Sequence, residues 1–195
     1  SRMFACQTAG GSGALRTICD LLKKSRPDAT IWMSDPTWAN HVPIAKAAGF
    51  KVATYPYFDA ESGQVKAEAM LEGLKQAQPG DIILLHGCCH NPTGANLTLA
   101  QWGPVADLIV ERGLFPFVDL AYQGFGDGLE EDAAAVRLLA SKVPEMAVAT
   151  SCSKNFSVYR DRVGAVILMG KDAESVKIAG SQALATTRVL YSMPP

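Results

Sequence analysis

The sequence predicts a three-layer α/β fold, a mostly parallel sheet flanked by helices. Short runs rich in Val, Ile and Leu alternate along the chain with amphipathic segments of helical period, the pattern of successive βαβ units. Runs such as Asp81–His86 and Val163–Met169 are apolar almost throughout, as suits strands buried on both faces. No internal repeat and no low-complexity linker interrupts the series.

Taken in order, the first helix is expected at Gly13–Lys24, where Leu15, Ile18, Cys19 and Leu22 share one face and Arg26-Pro27 ends the run. A strand at Ile31–Ser34 precedes a helix at Asn40–Ala48, closed by Gly49, and a strand follows at Lys51–Tyr55. Val65–Ala77 is helical by period and stops at Pro79-Gly80; Asp81–His86 is the next strand. Thr98–Arg112 carries the stripe Leu99, Trp102, Val105, Ala106 and Ile109, with Thr98 and Gln101 reading as a capping box and Gly113 as the stop. Phe115–Asp119 is a strand, Leu129–Lys142 a helix, Met146–Thr150 and Val163–Met169 strands, and Asp172–Leu190 the last helix. In such a sheet, ligands gather beyond the carboxyl ends of the strands.

The 195 residues, 48% hydrophobic and 19% charged, suffice for one domain with a real core, and the dispersed Gly 17 and Pro 11 exclude a disordered chain. Lys+Arg 18 balance Asp+Glu 19 for a net charge of −1 with no basic run, which argues against a nucleic-acid partner. No apolar stretch approaches the roughly 20 residues of a membrane helix, so no membrane partner is expected. Ser1 in place of an initiator Met, and Pro194-Pro195 at the end, read as a piece of a longer chain. Cys6, Cys19, Cys88, Cys89 and Cys152 are odd in number and show no paired spacing, which favours free thiols and an intracellular compartment.

Three consecutive strand ends deliver chemistry. After Asp81–His86 comes Gly87-Cys88-Cys89-His90-Asn91-Pro92-Thr93-Gly94; after Phe115–Asp119 comes Leu120-Ala121-Tyr122-Gln123-Gly124-Phe125; after Met146–Thr150 comes Ser151-Cys152-Ser153-Lys154-Asn155-Phe156, then Arg160-Asp161-Arg162. Near the start, Gly10-Gly11-Ser12-Gly13 leads into a helix, a turn whose free N–H groups and dipole suit an anion. It is neither a dinucleotide fingerprint, since Arg16 stands where the third glycine belongs, nor a P-loop, since no Gly-Lys-Ser/Thr follows. His86, Cys88, Cys89 and His90 offer metal-ligand types, yet neighbours on an extended chain point to opposite sides, so no metal is expected. Lys154, beyond a buried strand and near Arg160 and Arg162, suits a nucleophile toward carbonyls. An aldehyde cofactor with a phosphate would use all these parts: a lysine, an anion site, and a carboxylate such as Asp119 against a ring nitrogen.

The chain resembles the aspartate and aromatic amino-acid aminotransferases of class I, pyridoxal 5'-phosphate enzymes of fold type I. The resemblance is carried by Gly10 to Arg16, Asp35-Pro36-Thr37-Trp38-Ala39-Asn40-His41, the three strand-end segments above, and Arg188 to Pro195. It covers the whole chain and implies that residues 1–195 are the cofactor-binding large domain, with an N-terminal segment and a C-terminal small domain lying outside it.

The same resemblance implies roles. Lys154 would take the cofactor's aldehyde and shuttle the substrate proton; Asp119 would pair with the pyridine nitrogen, with His41 behind it and His86 as a further supporting side chain. Asn91 and Tyr122 would donate to the ring oxygen, Trp38 would stack on the ring, and Gly11, Ser12, Ser151 and Arg162 would cradle the phosphate. Trp38 and Asn91 would also contact substrate. Arg188 would reach the site of a second subunit in a homodimer and bind the distal carboxylate of a dicarboxylic substrate. The implied reaction moves an amino group between aspartate or glutamate, with aromatic amino acids as further substrates, and a 2-oxoacid. Met193 departs from the family's usual Asn, which loosens the expectation of strict dicarboxylate selection. A β-lyase or decarboxylase on the same fold, and a dinucleotide- or ligand-binding α/β domain without catalysis, are the competing readings. The expected location is cytoplasmic, with a mitochondrial one left open, and the isolated piece is expected to be inactive.

Overall fold

The computed structural model describes residues 1–194; Pro195, the last residue of the Arg188 segment, lies outside the described residues. The elements run β1 (Met3–Ala9), α1 (Gly10–Ser25), β2 (Thr30–Asp35), α2 (His41–Ala47), β3 (Lys51–Pro56), α3 (Ala67–Leu74), β4 (Ile82–His86), α4 (Leu99–Glu111), β5 (Phe115–Leu120), α5 (Ala134–Lys142), β6 (Met146–Ser151), β7 (Val163–Met169) and α6 (Ala173–Leu190). The strands form one sheet in the order β1-β7-β6-β5-β4-β2-β3. Strands β2 to β6 pair in parallel, whereas β7 runs antiparallel to both β1 and β6. Because β7 is reversed, its first residues lie beside the last residues of its neighbours: Ala9 pairs with Val163 and Ser151 with Gly164. His86 pairs with Asp119 and Leu120 with Thr150 at the same edge. One sheet edge therefore collects the ends of β1, β4, β5 and β6 and the start of β7.

Both faces of the sheet are buried, as the continuous apolar runs require. Ile83, Leu85, Val118, Leu120 and Val148 face a core shared with Met70, Leu74, Trp102, Val105, Ile109 and Leu139 of α3, α4 and α5. Ile31, Met33, Ile82, Leu84, Phe117, Ala147 and Ala149 face the other core, built with Leu15, Ile18, Leu22, Ala45, Val176 and Ala183 of α1, α2 and α6. Each such aliphatic side chain contributes about 1.5–3 kcal/mol on burial, so the two layers hold the sheet edge in place. The expected capping box forms in α4, where Thr98 accepts from the Gln101 N–H and Gln101 from the Thr98 N–H. Among the described residues no helix is long and apolar enough to cross a membrane.

Four features differ from the sequence expectation. Strand β1 is not announced by the pattern, since MFACQTA has no Val or Ile and lies half-exposed at the sheet edge. Helix α1 begins at Gly10 rather than Gly13, so the glycines form its first turn instead of a loop ahead of it. Helix α3 is shorter than Val65–Ala77 because Val65 bridges Phe58 and the Lys66 N–H bonds the Tyr57 carbonyl. Helix α5 starts at Ala134 rather than Leu129, because the Asp132 carboxylate accepts N–H groups of the preceding loop.

Asp81 ties the opposite edge of the sheet. Its carboxylate accepts from the Thr30 N–H at 2.8 Å, the Trp32 Nε1–H at 3.0 Å and the Gln78 N–H at 2.9 Å, joining β2 to the turn before β4. Asp81→Ala leaves three donors unmatched, at about 1–3 kcal/mol for an unmatched buried group. Urea unfolding of the complete protein should show a loss of about 3 kcal/mol, and Asp81→Asn, which keeps one acceptor oxygen, a smaller one.

Candidate active site

A cavity of about 340 Å³ opens at the edge where the strand ends converge. Its walls come from α1 (Gly11, Ser12), the segment after β2 (Trp38), β4 and its loop (His86, Asn91), β5 and its loop (Asp119, Tyr122), β6 and its loop (Ser151, Lys154), and the approach to β7 (Arg162). Ten of the residues singled out from the sequence thus meet in one place, and His41 stands directly behind Asp119.

At one end the cavity is built for an anion. The first N–H groups of α1 have no intrahelical acceptors, its N-cap Ala9 has no capping side chain, and its first turn holds no acidic residue. Arg162 is brought to this turn by the antiparallel β7: the Gly10 N–H donates to the Arg162 carbonyl at 2.7 Å. A Cβ at Gly10, whose φ is +67°, would overlap the Arg162 guanidinium, so only glycine admits this approach. Arg162 Nη1 donates to the Tyr159 carbonyl at 2.9 Å and reaches Ser153 Oγ at 3.5 Å. Ser151 backs onto Gly11, where an added Cβ would lie 3.1 Å from the serine Cβ.

At the other end sits a buried carboxylate with a dedicated partner. Asp119 Oδ2 lies 3.0 Å from His41 Nε2, and His41 Nδ1 lies 2.8 Å from Thr37 Oγ1. In the tautomer whose Nε2–H donates to the carboxylate, Nδ1 accepts from the Thr37 hydroxyl. The Trp38 ring meets His41 edge-on at 5.2 Å, its other side lining the cavity. Between the two ends, Lys154 Nζ lies 4.5 Å from the centre of the Tyr122 ring, and Asn91 Nδ2 donates to Tyr122 Oη at 3.4 Å.

His86 lines this wall, and the other two histidines of the chain pack against it. His86 is packed 5.2 Å from His41 and 4.1 Å from His90, centre to centre, and neither of its ring nitrogens has a hydrogen-bond partner among the described residues. Burial, then the neighbouring His90 and His41, drive its basicity well below the usual histidine range. His90 is bonded at both nitrogens, to Ser34 Oγ at 2.9 Å and Thr93 Oγ1 at 2.9 Å, and stacks on Tyr57 at 4.0 Å. Burial, reinforced by His41, lowers its pKa from 6.5 to about 4.

The loop after β5 is held by Asp132, whose Oδ2 accepts from the N–H groups of Gly124 and Gly126 and whose Oδ1 accepts from Asp127. Burial pushes this carboxyl up, but the backbone donors outweigh it and hold the group below the usual carboxylate range. Leu15, Cys88, Ala121, Ser153 and Tyr159 also line the cavity and were given no role from the sequence. Ser153 carried a signal, lying two residues from Ser151 in the same short loop; Tyr159 carried none. Cys88 and Cys89 do not point apart as extended neighbours would: with φ +46° at Cys89, their sulfurs and an Asp132 oxygen lie within 4.8 Å of one another. Arg160 is exposed and outside the cavity, and so is Arg188, on the last turn of α6.

An anion cradle, a paired buried carboxylate and an amine between them fit a flat aromatic aldehyde that carries a phosphate. One consequence of the histidine cluster is measurable. Below pH 6.5 an unfolded chain protonates His90 while the folded one resists to about pH 4, so the unfolded state binds more protons and stability falls as pH falls. The slope contributed is about 1.4 kcal/mol per pH unit. His90→Gln should flatten the pH dependence of unfolding free energy across that window by about one proton, read from urea midpoints; an unchanged slope would contradict a neutral, buried His90.

Residues 3–191 match the model of the family described as aminotransferase class I and II. The chain is 52% identical over 188 residues to an aromatic-amino-acid aminotransferase of Paracoccus denitrificans, covering 96% of the chain and 48% of that protein. It is 47% identical over 194 residues to an aspartate aminotransferase of Escherichia coli (strain K12), covering 100% of the chain and 49% of that protein. A crystal structure of the aromatic-amino-acid aminotransferase from Burkholderia pseudomallei, covalently bound to pyridoxal phosphate, superposes with a TM-score of 0.97 at 44% identity, covering 100% of the chain and 49% of that structure. The chain thus spans about half the length of the curated relatives it matches.

Proposed function

The chain belongs to the aminotransferase class I and II family, and from that premise we propose that residues 1–195 are the cofactor-binding large domain of a pyridoxal-phosphate transaminase acting on aspartate, glutamate or aromatic amino acids and 2-oxoacids. The observation that carries this reading is the convergence of Lys154, the His41–Asp119 pair and the Gly11–Ser151–Arg162 cradle on one cavity. When bound, pyridoxal phosphate supplies an electron sink for the carbanion left as the substrate's α-proton departs.

The residues divide the rest of the work. The α1 N-terminus, Ser12, Ser151 and Arg162 hold the phosphate with backbone and charge-assisted donors. Asp119 would face the pyridine nitrogen and hold a proton there, with His41 orienting the carboxylate through its Nε2–H. Asn91 and Tyr122 donate to the ring oxygen, and Trp38 covers the ring face. Lys154 would hold the aldehyde by condensing with it and releasing water, and once its amine is free it would be the base that accepts the substrate's α-proton and gives it back. Arg188, exposed on α6 and away from this cavity, would serve a second copy of the chain in a homodimer, where its planar fork would pair with the distal carboxylate of a dicarboxylic substrate. A cytoplasmic location completes the reading, supported by five cysteines that are all free thiols.

Borohydride treatment of the complete enzyme should fix a pyridoxyl group on the peptide containing Lys154, seen by mass mapping. Lys154→Ala should lose both the label and glutamate formation from aspartate and 2-oxoglutarate; release of ammonia or carbon dioxide instead would move the reading to a lyase or decarboxylase. Arg188→Ala should cost about 2–5 kcal/mol in kcat/KM for dicarboxylic substrates and much less for aromatic ones. Equal losses on both would remove Arg188 from substrate selection.

A further inference from the structure

We propose that Cys88, Cys89 and Asp132 form a binding site for a thiophilic divalent cation, of the zinc or cadmium class, in the wall between the cavity and the loop that follows Tyr122. The inference does not rest on the cofactor reading, because none of the three residues is assigned to cofactor or substrate.

The geometry begins in the backbone. The β4–β5 ladder continues one step past β4, with the Gly87 N–H donating to the Asp119 carbonyl at 2.8 Å, and then breaks. Two residues later Cys89 adopts φ +46°, a conformation that costs a non-glycine residue about 1–2 kcal/mol. In extended backbone the two thiols would face opposite sides of the chain. Here both sulfurs lie within 4.8 Å of each other and of an Asp132 oxygen. A tetrahedral zinc site, with metal–sulfur bonds of about 2.3 Å and metal–oxygen bonds of about 2.0–2.2 Å, needs ligand atoms a little under 4 Å apart. Small rotations of the two cysteine side chains close that gap.

Asp132 can serve without abandoning its structural task. A carboxylate offers about four lone-pair sites, and three are taken by the Gly124, Gly126 and Asp127 N–H groups. Oδ1 is the less committed oxygen, with one N–H bond, from Asp127, against two on Oδ2, while the Gly128 N–H also helps to hold the carboxylate. Among the described residues no Lys or Arg pairs with Asp132, so no cation already neutralises it. Binding would exchange two thiol protons, released to solvent, for one divalent ion held by two thiolates and a carboxylate. The net charge of this half-buried pocket is then unchanged, which removes the main electrostatic penalty of bringing an ion in. Two thiolates select zinc or cadmium over calcium or magnesium. Three protein ligands leave the fourth position to water, and Cys88 lines the cavity.

The test is a cadmium titration of the complete, cofactor-loaded enzyme, followed by the ultraviolet cadmium–thiolate charge-transfer band. The expected result is one cadmium per chain with a two-thiolate band that zinc displaces. The band should be at least halved in Cys88→Ser and in Cys89→Ser, absent in the double variant, and unchanged in Cys152→Ser and Cys6→Ser. Asp132→Asn should keep the band but weaken cadmium binding about tenfold or more. Circular dichroism of the cysteine variants, which alter one atom each, checks that the fold is kept. A band that survives the double variant, one that depends on Cys152, or one carrying a single thiolate would overturn the proposal.

Discussion

Everything at the working edge of this molecule depends on the contact between Gly10 and Arg162. Strand β7 enters the sheet antiparallel between β1 and β6, so its first residue lies against the junction of β1 and α1. The Gly10 N–H to Arg162 carbonyl bond fastens the two connections, and the missing Cβ at Gly10 lets the guanidinium lie against the helix start. Gly164 is equally tight, since a Cβ there would meet the Gly10 backbone at 2.5 Å. A positive helix terminus and a fixed arginine thus share one corner with nothing acidic in the first turn of α1. Such a corner is unfavourable without an anion and strongly favourable with one.

The far end of the cavity balances the first. Asp119 is a buried carboxylate, and burying a charge is tolerable only where it is paired. His41 supplies that partner, and Thr37 fixes the ring from behind. The other two histidines are kept from competing for the same proton. Among the described residues the His86 side chain has no hydrogen-bond partner and His90 has both nitrogens committed to hydroxyls, and burial makes both weakly basic. A His86 ring nitrogen also lies within 4.8 Å of the Asp119 carboxylate, but of the three imidazoles only His41 is hydrogen-bonded to it. The cavity is polarised as a result, with donors for an anion at one end and a hydrogen-bonded carboxylate at the other.

Most of this was legible in the sequence because the strands are buried on both faces and therefore read as continuous apolar runs. Once the strand ends are placed, the polar residues that follow them fall at one edge, and ten of the residues picked out from the motifs line one cavity. What the sequence concealed has physical causes. Strand β1, an edge strand with no Val or Ile, is half-exposed, so its pairing is dictated by β7 rather than by its own propensity. The late start of α5 comes from Asp132 bonding a loop eight residues back, a tertiary demand that overrides a helical period. Tyr159 reaches the cavity because its carbonyl anchors Arg162, a contact no spacing rule encodes. Arg160, two residues before Arg162, matched the sequence rationale equally well yet is exposed, because the turn into β7 presents only one of the two to α1.

The chemistry of this edge sits where regular geometry stops. Cys89 and Arg162, at φ +46° and φ +54°, are non-glycine residues in the left-handed region; Cys89 lies three residues after β4 and Arg162 directly before β7, both at the cavity edge of the sheet. Each costs on the order of 1–2 kcal/mol, a sum the two apolar layers can offset. In both cases the departure redirects a side chain that extended backbone would have sent elsewhere. At Arg162 it brings a guanidinium beneath the α1 N-terminus; at Cys89 it brings one thiol to another. Sheet periodicity explains why functional residues gather at the strand ends, and only its local failure explains which of them meet.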